Sequence, residues 1–483
     1  MSKILSKIFP ILDHLYIYQL LEYNWGEFLV WFLKNPFKRA LQKKHKLEWT
    51  QKVKLLALVS ITLLILDSTV TSYTLSGGVL WSLILLPIKT LYFPLFLIVA
   101  QILISPLELY QKEKILIKAA EKLSKLPNLK VVAITGSFGK TSTKDILYTF
   151  LWKKYYVVKT PKSFNTSLGI AQTILEDIKE NTEVFICEVG AYKIGEIKKI
   201  ASLIKPTIGI ITAIAPQHLQ KFGSLENIAK AKFELPQSLE ERGVVILNSN
   251  YQKIKELAST VSAKAYLYGT EGDPFYATNI KSGVEGTSFT IHTPKGEADI
   301  HIPLIGEHHV QNFLAAAAAA LQLGLKLADI KERAKLLLPT PHRMEIRRMG
   351  NMILIDNSYN TNPISAESSL NLLASFKDSR KIVITPGFVE LGKEAAGENQ
   401  NFGNNIACIA DELIIVGGNA KKDLLKGIKQ VWQDAEEKVH FVNSTQEGID
   451  LAYQLAKELT EWIARYDTEV VILLENDLPD QYS

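Results

Sequence analysis

Residues Val131 to Asp145 read VVAITGSFGKTSTKD, and this stretch limits the fold more than any other. An apolar, β-branched run ends at Thr135-Gly136, and Gly139-Lys140-Thr141-Ser142 opens a helical pattern. A strand that passes through a glycine turn into a helix is a βα unit, which points to a parallel sheet covered by helices. The same turn forms an anion cradle, because backbone N–H groups and the positive end of the helix dipole face outward together. Gly136, Ser137 and Gly139 would wrap the phosphates of ATP. Lys140 would reach the β- and γ-phosphates, and the Thr141 hydroxyl, beside Ser142, would meet Mg²⁺. The spacing is GxxGKT rather than GxxxxGK[ST], so this segment alone also reads as an ordinary βα turn.

The 483 residues provide for two or three domains with their own cores. A net charge of +5 is no argument for a nucleic-acid partner, and none is expected. Two cysteines, Cys187 and Cys408, exclude a disulfide framework or a cysteine-based zinc ribbon and fit a reducing compartment.

The N-terminal part has a different composition. Apolar stretches at about 53–75 and 79–105 are each long enough for the roughly 20 residues that cross a bilayer. Asp67 and Lys89 interrupt them and are placed to face each other in a hairpin. Basic residues between Lys34 and Lys54, and again at Lys112, Lys114 and Lys118, put both flanks on the cytoplasmic side. Leu15 to Ala40 mixes aromatic and charged residues like a helix lying in the membrane interface. The expectation is a multi-pass protein of the inner cell membrane with its catalytic domains in the cytoplasm.

Behind this region the pattern is β/α. Residues 1–110 form the membrane region, 111–338 a central ATP-binding domain, and 339–483 a smaller Rossmann-like α/β domain. Strands are expected at Val131–Thr135, Val184–Glu188, Thr207–Ala213 and Val244–Asn248, and later at Met352–Asp356, Lys381–Thr385, Glu412–Val416 and Glu469–Leu474. Short strands between Tyr266 and Pro303 read as an antiparallel appendage, and Ala315 to Ala320 as part of a close-packing helix. Pro339 and Pro341 mark the boundary between the two α/β domains. Lys140, Glu188 and His218 all fall at carboxyl ends of strands, where open α/β sheets bind ligands.

In order, the chain carries ITGSFGKTSTKD, SFNTSLGI, EVGAYKIGEI, HLQKFGSLENIAKAKFEL, GEHHVQNFLAAAAAA, PHRMEI and DNSYNTNP. With these seven segments it resembles the ATP-dependent Mur ligases, in particular the branch that adds D-alanyl-D-alanine to the peptidoglycan precursor. The resemblance implies a ligase that forms an acyl phosphate on a carboxylate and joins it to an amino-acid or dipeptide amine. It implies ATP and two Mg²⁺ ions. Thr141, Glu188, His218 and a carbamylated Lys232 would hold metal. His308 and Asn312 would contact adenine, with Asp356 also on the nucleotide. Arg343 would reach the γ-phosphate from the C-terminal domain. Asn165, Thr166, Ser358, Asn360 and Asn362 would line the substrate. Apart from the resemblance, Lys232 reads as a solvated helix lysine beside Lys230, and His308 as a residue at a helix N-terminus.

The chain departs from the family at several points. Asp356-Asn357 stands where two aspartates are usual, and His309 where asparagine is usual. The C-terminus reads LLENDLPDQY without the KGS segment. The apolar region replaces the usual precursor-binding domain, which implies a lipid-linked or membrane-proximal carboxylate acceptor. A poly-γ-glutamate-type peptide polymer synthetase and a non-catalytic membrane ATP-binding switch remain as alternatives.

Overall fold

The computed structural model describes residues 11–35, 47–74, 89, 92–161, 164–216, 219–240, 242–283, 285–339, 342–350, 352–359, 362–389, 391–418, 420–463 and 469–477. The chain forms two compact units that divide between Lys114 and Ile115.

The first unit is helical: α1 (Ile11–Leu20), α2 (Trp25–Lys34), α3 (Gln51–Thr74) and the N-terminal part of α4 (Phe93–Ser124). The side chain of Asn24 caps α2 by accepting from the N–H groups of Gly26 and Glu27. Leu15, Tyr18, Phe28, Val53, Leu56, Phe93 and Leu97 form its core. Leu58, Ile65, Val70, Ile102 and Leu109 point outward and are more than half exposed. Lys89 Nζ lies 2.6 Å from Asp67 Oδ2, the pairing expected from their positions in sequence. α3 and α4 are long and apolar enough to cross a membrane. The expected span at 79–105 falls in part outside the described residues.

The second unit contains two six-stranded sheets. The first has the order β2-β3-β1-β4-β5-β6 and is parallel throughout. Its strands are β1 (Lys130–Thr135), β2 (Val157–Lys159), β3 (Val184–Glu188), β4 (Ile208–Ile211), β5 (Val244–Asn248) and β6 (Lys264–Tyr268). The strand period of two divides the side chains between two cores. Val132, Ile134, Ile186 and Ile210 face one side, with α5 (Lys140–Leu151) and α6 (His308–Gln322). Val131, Ala133, Phe185 and Cys187 face the other. The alanine run of α6 is fully buried, and its small side chains allow the close packing its composition suggests. Phe313 on α6 meets Phe150 of α5 edge-on at 5.1 Å.

Phe313 also packs against Phe289 of a three-stranded antiparallel sheet, β7 (Tyr276–Gly283), β8 (Gly286–Thr293) and β9 (Gly296–Ile302). This is the expected appendage.

The second sheet has the order β10-β11-β15-β12-β13-β14. Its strands are β10 (Glu345–Met349), β11 (Met352–Asn357), β12 (Arg380–Thr385), β13 (Glu412–Val416), β14 (Val439–Val442) and β15 (Val470–Glu475). Only β10 runs antiparallel to its neighbour. Ile353, Ile355, Val383 and Leu473 face one core, and Leu354, Ile382, Ile472 and Leu474 the other.

Candidate active site

The loop between β1 and α5 is fixed by the segment that follows β4. Ser137 donates its N–H to Ala213 O at 2.9 Å and its hydroxyl to Ala215 O at 2.9 Å. These bonds anchor the loop, so the Ser137 side chain faces the protein and not an open cradle. The Thr212 hydroxyl donates to Phe138 O at 2.5 Å. Gly136 presses against that hydroxyl so closely that a methyl group would overlap it, and Gly139 has φ +79° where α5 begins. Both glycines are therefore required by the loop's geometry.

Lys140 begins α5 and folds over the loop, its Nζ 2.7 Å from Gly136 O. Burial lowers its pKa, Glu188 raises it, and Arg343 lowers it further; the net shift is downward. Glu188 ends β3 and is 1 % exposed. The Thr141 hydroxyl donates to its Oε2 at 2.8 Å, Lys144 Nζ stands 3.4 Å from the same oxygen, and Asn165 Nδ2 donates to Oε1 at 3.1 Å. Burial favours the neutral acid here, but Lys140, Lys144 and these hydrogen bonds outweigh it and hold the carboxyl below its ordinary range. An ionised carboxylate and a hydroxyl at one point are hard oxygen donors that suit Mg²⁺.

Lys232 lies on the helix Leu225–Gln237, with an N-cap at Ser224, and is buried rather than solvated. Burial, and then the charge of Lys140, push its pKa well below the ordinary lysine value. Arg343 comes from the turn before β10, its guanidinium 4.7 Å over the Tyr359 ring. Burial lowers its pKa, while Tyr359, Glu188 and Asp145 act in the opposite direction. Glu188 and Asp145 belong to the first sheet's βα units, so the charge of Arg343 is felt at the phosphate loop.

A cavity of about 250 Å³ adjoins α5, lined by Ser142, Asp145, Tyr148, Lys159, His309 and Leu337 among others. His309 is 3 % exposed and its Nδ1 has no hydrogen-bond partner. Burial, then His308 and Arg343, hold its imidazole neutral. Thus His309, not His308, lines this cavity. The His308 ring lies 4.1 Å from it at a tilt, and burial together with Arg343 lowers its pKa to about 4. Asn312, on α6, faces α5, its Oδ1 accepting from the Thr143 hydroxyl at 3.4 Å. A larger depression of about 510 Å³ lies on the three-stranded sheet, lined by Asp273, Tyr276, His292 and Glu297 and by none of the loop residues.

Several expected substrate or nucleotide residues have local bonding tasks. Thr166 caps the helix Ser167–Glu176, and Asn362 accepts from Ser365 N–H at the start of the helix Pro363–Ser375. Asp356 accepts from the N–H and hydroxyl of Ser358, with His342 Nδ1 2.8 Å from its other oxygen. His218 and Asn360 lie outside the described residues. Sequence reading passed over Lys144, although it is one helical turn beyond Lys140 on the same helix face. It also passed over Thr212, which the end of β4 carries to the loop.

Residues 134–320 match the family described as Mur ligase middle domain, and residues 342–463 match Mur ligase, glutamate ligase domain. The chain is 30 % identical over 321 residues to a UDP-N-acetylmuramoyl-tripeptide--D-alanyl-D-alanine ligase of Haemophilus influenzae, covering 65 % of this chain and 70 % of the relative. It is 35 % identical over 266 residues to the Bacillus subtilis protein of that name, covering 54 % of this chain and 57 % of the relative. The crystal structure of MurF from Acinetobacter baumannii superposes with a TM-score of 0.66 at 26 % identity, covering 77 % of this chain and 78 % of that one.

These matches correct the expectation of a multi-pass protein of the cell membrane. The relatives are named as ligases of a nucleotide-linked precursor, and the family matches lie in the two α/β sheets. What speaks for a membrane is two helices that are long and apolar enough to cross one, which by length and composition alone is weak evidence. The two sheets, the converging loop residues and the matched domains establish that the chain belongs to the Mur ligase family, ATP- and Mg²⁺-dependent enzymes that form amide bonds.

Proposed function

We propose that the chain joins D-alanyl-D-alanine to the terminal carboxylate of a nucleotide-linked muramoyl tripeptide in peptidoglycan precursor synthesis. The observation that carries this reading is the meeting of Lys140, Thr141 and Glu188 at the ends of β1 and β3, with Lys232 and Arg343 within electrostatic reach of them. It is supported by the names of the relatives. A lipid-linked acceptor rested on the membrane anchor alone and is dropped with it.

In this reading the substrate carboxylate attacks the γ-phosphorus of ATP, and ADP leaves. The dipeptide amine then attacks the carbonyl of the acyl phosphate, phosphate departs, and the amine gives up a proton as the amide forms. Lys140 and Arg343 offset the charge that spreads over the transferring phosphoryl group. Mg²⁺, when bound, neutralises phosphate charge. Thr141 and Glu188 would hold one ion, and carbamylated Lys232 would help to hold a second. A buried, neutral Lys232 amine can add CO₂ and release a proton, which turns a would-be cation into an anion. The cavity beside His309 would receive the adenine.

The test is ADP release by the purified full chain with ATP, Mg²⁺, UDP-N-acetylmuramoyl-tripeptide and D-alanyl-D-alanine. Release should require both substrates and fall roughly a hundredfold or more in Lys140→Ala. Release that ignores the two substrates, or survives the substitution, would sink this reading. Product analysis with glutamate in place of the dipeptide separates the polymer-forming alternative.

A further inference from the structure

His342 and Met344, on either side of Arg343, adopt left-handed backbone with φ 60° and 53°. Side chains bearing a Cβ rarely tolerate this region, and such a turn persists only where its surroundings over-determine it. Here the surroundings are the end of β11. Tyr359 N–H donates to His342 O at 3.2 Å, His342 Nδ1 lies 2.8 Å from Asp356 Oδ2, and the Tyr359 ring lies under the Arg343 guanidinium. The direction of Arg343 is therefore set by residues 356–359.

Those residues are held in turn by β15. Asn357 pairs in register with Glu475, and its Nδ2 donates to both carboxylate oxygens at 3.1 Å. The Ser369 hydroxyl donates to the same carboxylate, and Asn476 N–H donates to Asn357 O at 3.1 Å. Glu475 is fully buried and Asn357 nearly so. A carboxylate is expensive to bury, and an apolar pair would join two strands at lower cost, so stiffness alone does not explain it.

We propose that Glu475, acting through Asn357, is a positioning residue that aims Arg343 at the phosphate site. The proposal rests on the role given to Arg343 above. It also makes the two departures at Asn357 and at the LLEND terminus a single matched exchange across neighbouring strands, and not a decay of the site.

The experiment is a double-mutant cycle in the full chain. ADP release is measured with both substrates for wild type, Glu475→Gln, Arg343→Ala and the double variant. Glu475→Gln should lower kcat roughly tenfold, leave KM for ATP within about twofold, and add no loss once Arg343 is alanine. Equal losses in both backgrounds, or no loss with Arg343 present, would overturn the positioning role. If Arg343→Ala alone leaves ADP release intact, the role of Arg343 fails, and the positioning role falls with it; the single variant shows this directly. If melting curves show that Glu475→Gln does not fold, Ser369→Ala takes its place in the cycle. It removes one donor to the carboxylate and should cost about threefold in kcat, again only when Arg343 is present.

Discussion

Glu188 serves three donors while almost sealed from water: the Thr141 hydroxyl, the Lys144 ammonium and the Asn165 amide. Its charge matters to the fold as well as to the chemistry, because Lys144 is as buried as its partner. Glu188→Gln keeps the shape and removes the charge. Taking the carboxylate away from a buried ammonium should destabilise the protein by about 3–5 kcal/mol, read as a lower urea midpoint, and should abolish ADP release. His308 gives a pH signature. Its folded-state pKa of about 4 lies below the ordinary 6.5. The unfolded chain therefore takes up the proton first on acidification. Stability from this group is complete above pH 6.5 and is lost as the pH falls toward about 4. His308→Asn should flatten the dependence of the urea midpoint on pH across that interval.

At the scale of elements, the glycine loop is a strand-to-helix turn wedged against the end of β4. Gly136→Ala would place a methyl group into the Thr212 hydroxyl and against Ala213 N. The expected result is overpacking of about 1–3 kcal/mol and a shifted loop that no longer binds ATP in calorimetric titration, with far-UV circular dichroism unchanged. The loop and the strands β1, β3, β4 and β5 were legible because each central strand is a short continuous apolar run, as burial on both faces demands. β2, β6, β10 and β14 were not foreseen, and all four are sheet edges. An edge strand has one neighbour and side chains left partly in water, so β2 and β10 show no buried residue at all. At the site, the loop itself was readable from the order of strand, glycine turn and helix. The surroundings of His309 and Glu475 were not, since each is packed against a neighbour from a distant segment.

At the scale of the whole molecule, each sheet has its own cores, and the catalytic reading needs both sheets. Phe313 belongs to the first and Leu473 to the second, and both are fully buried. Phe313→Ala should cost about 3–5 kcal/mol and Leu473→Ala about 2–5 kcal/mol. Scanning calorimetry should show each variant lowering a different transition. Both should weaken ADP release, because Lys140 and Arg343 are carried by different sheets.

Among the described residues β15 is the last strand in chain order, yet it lies in the interior of its sheet, hydrogen-bonded to β11 on one side and β12 on the other. A chain made from its N-terminus cannot complete that sheet until Glu475 has been synthesised, and until then β11 and β12 have a gap between them. The phosphate loop can form much earlier, since β1 and its neighbours come from the first half of the ligase region. Synthesis therefore delivers the parts in a fixed order: the residues of the phosphate loop come first, and the strand that flanks β11 comes after them. A chain that stopped before Val470 would hold every strand of the first sheet and lack the one that joins β11 to β12.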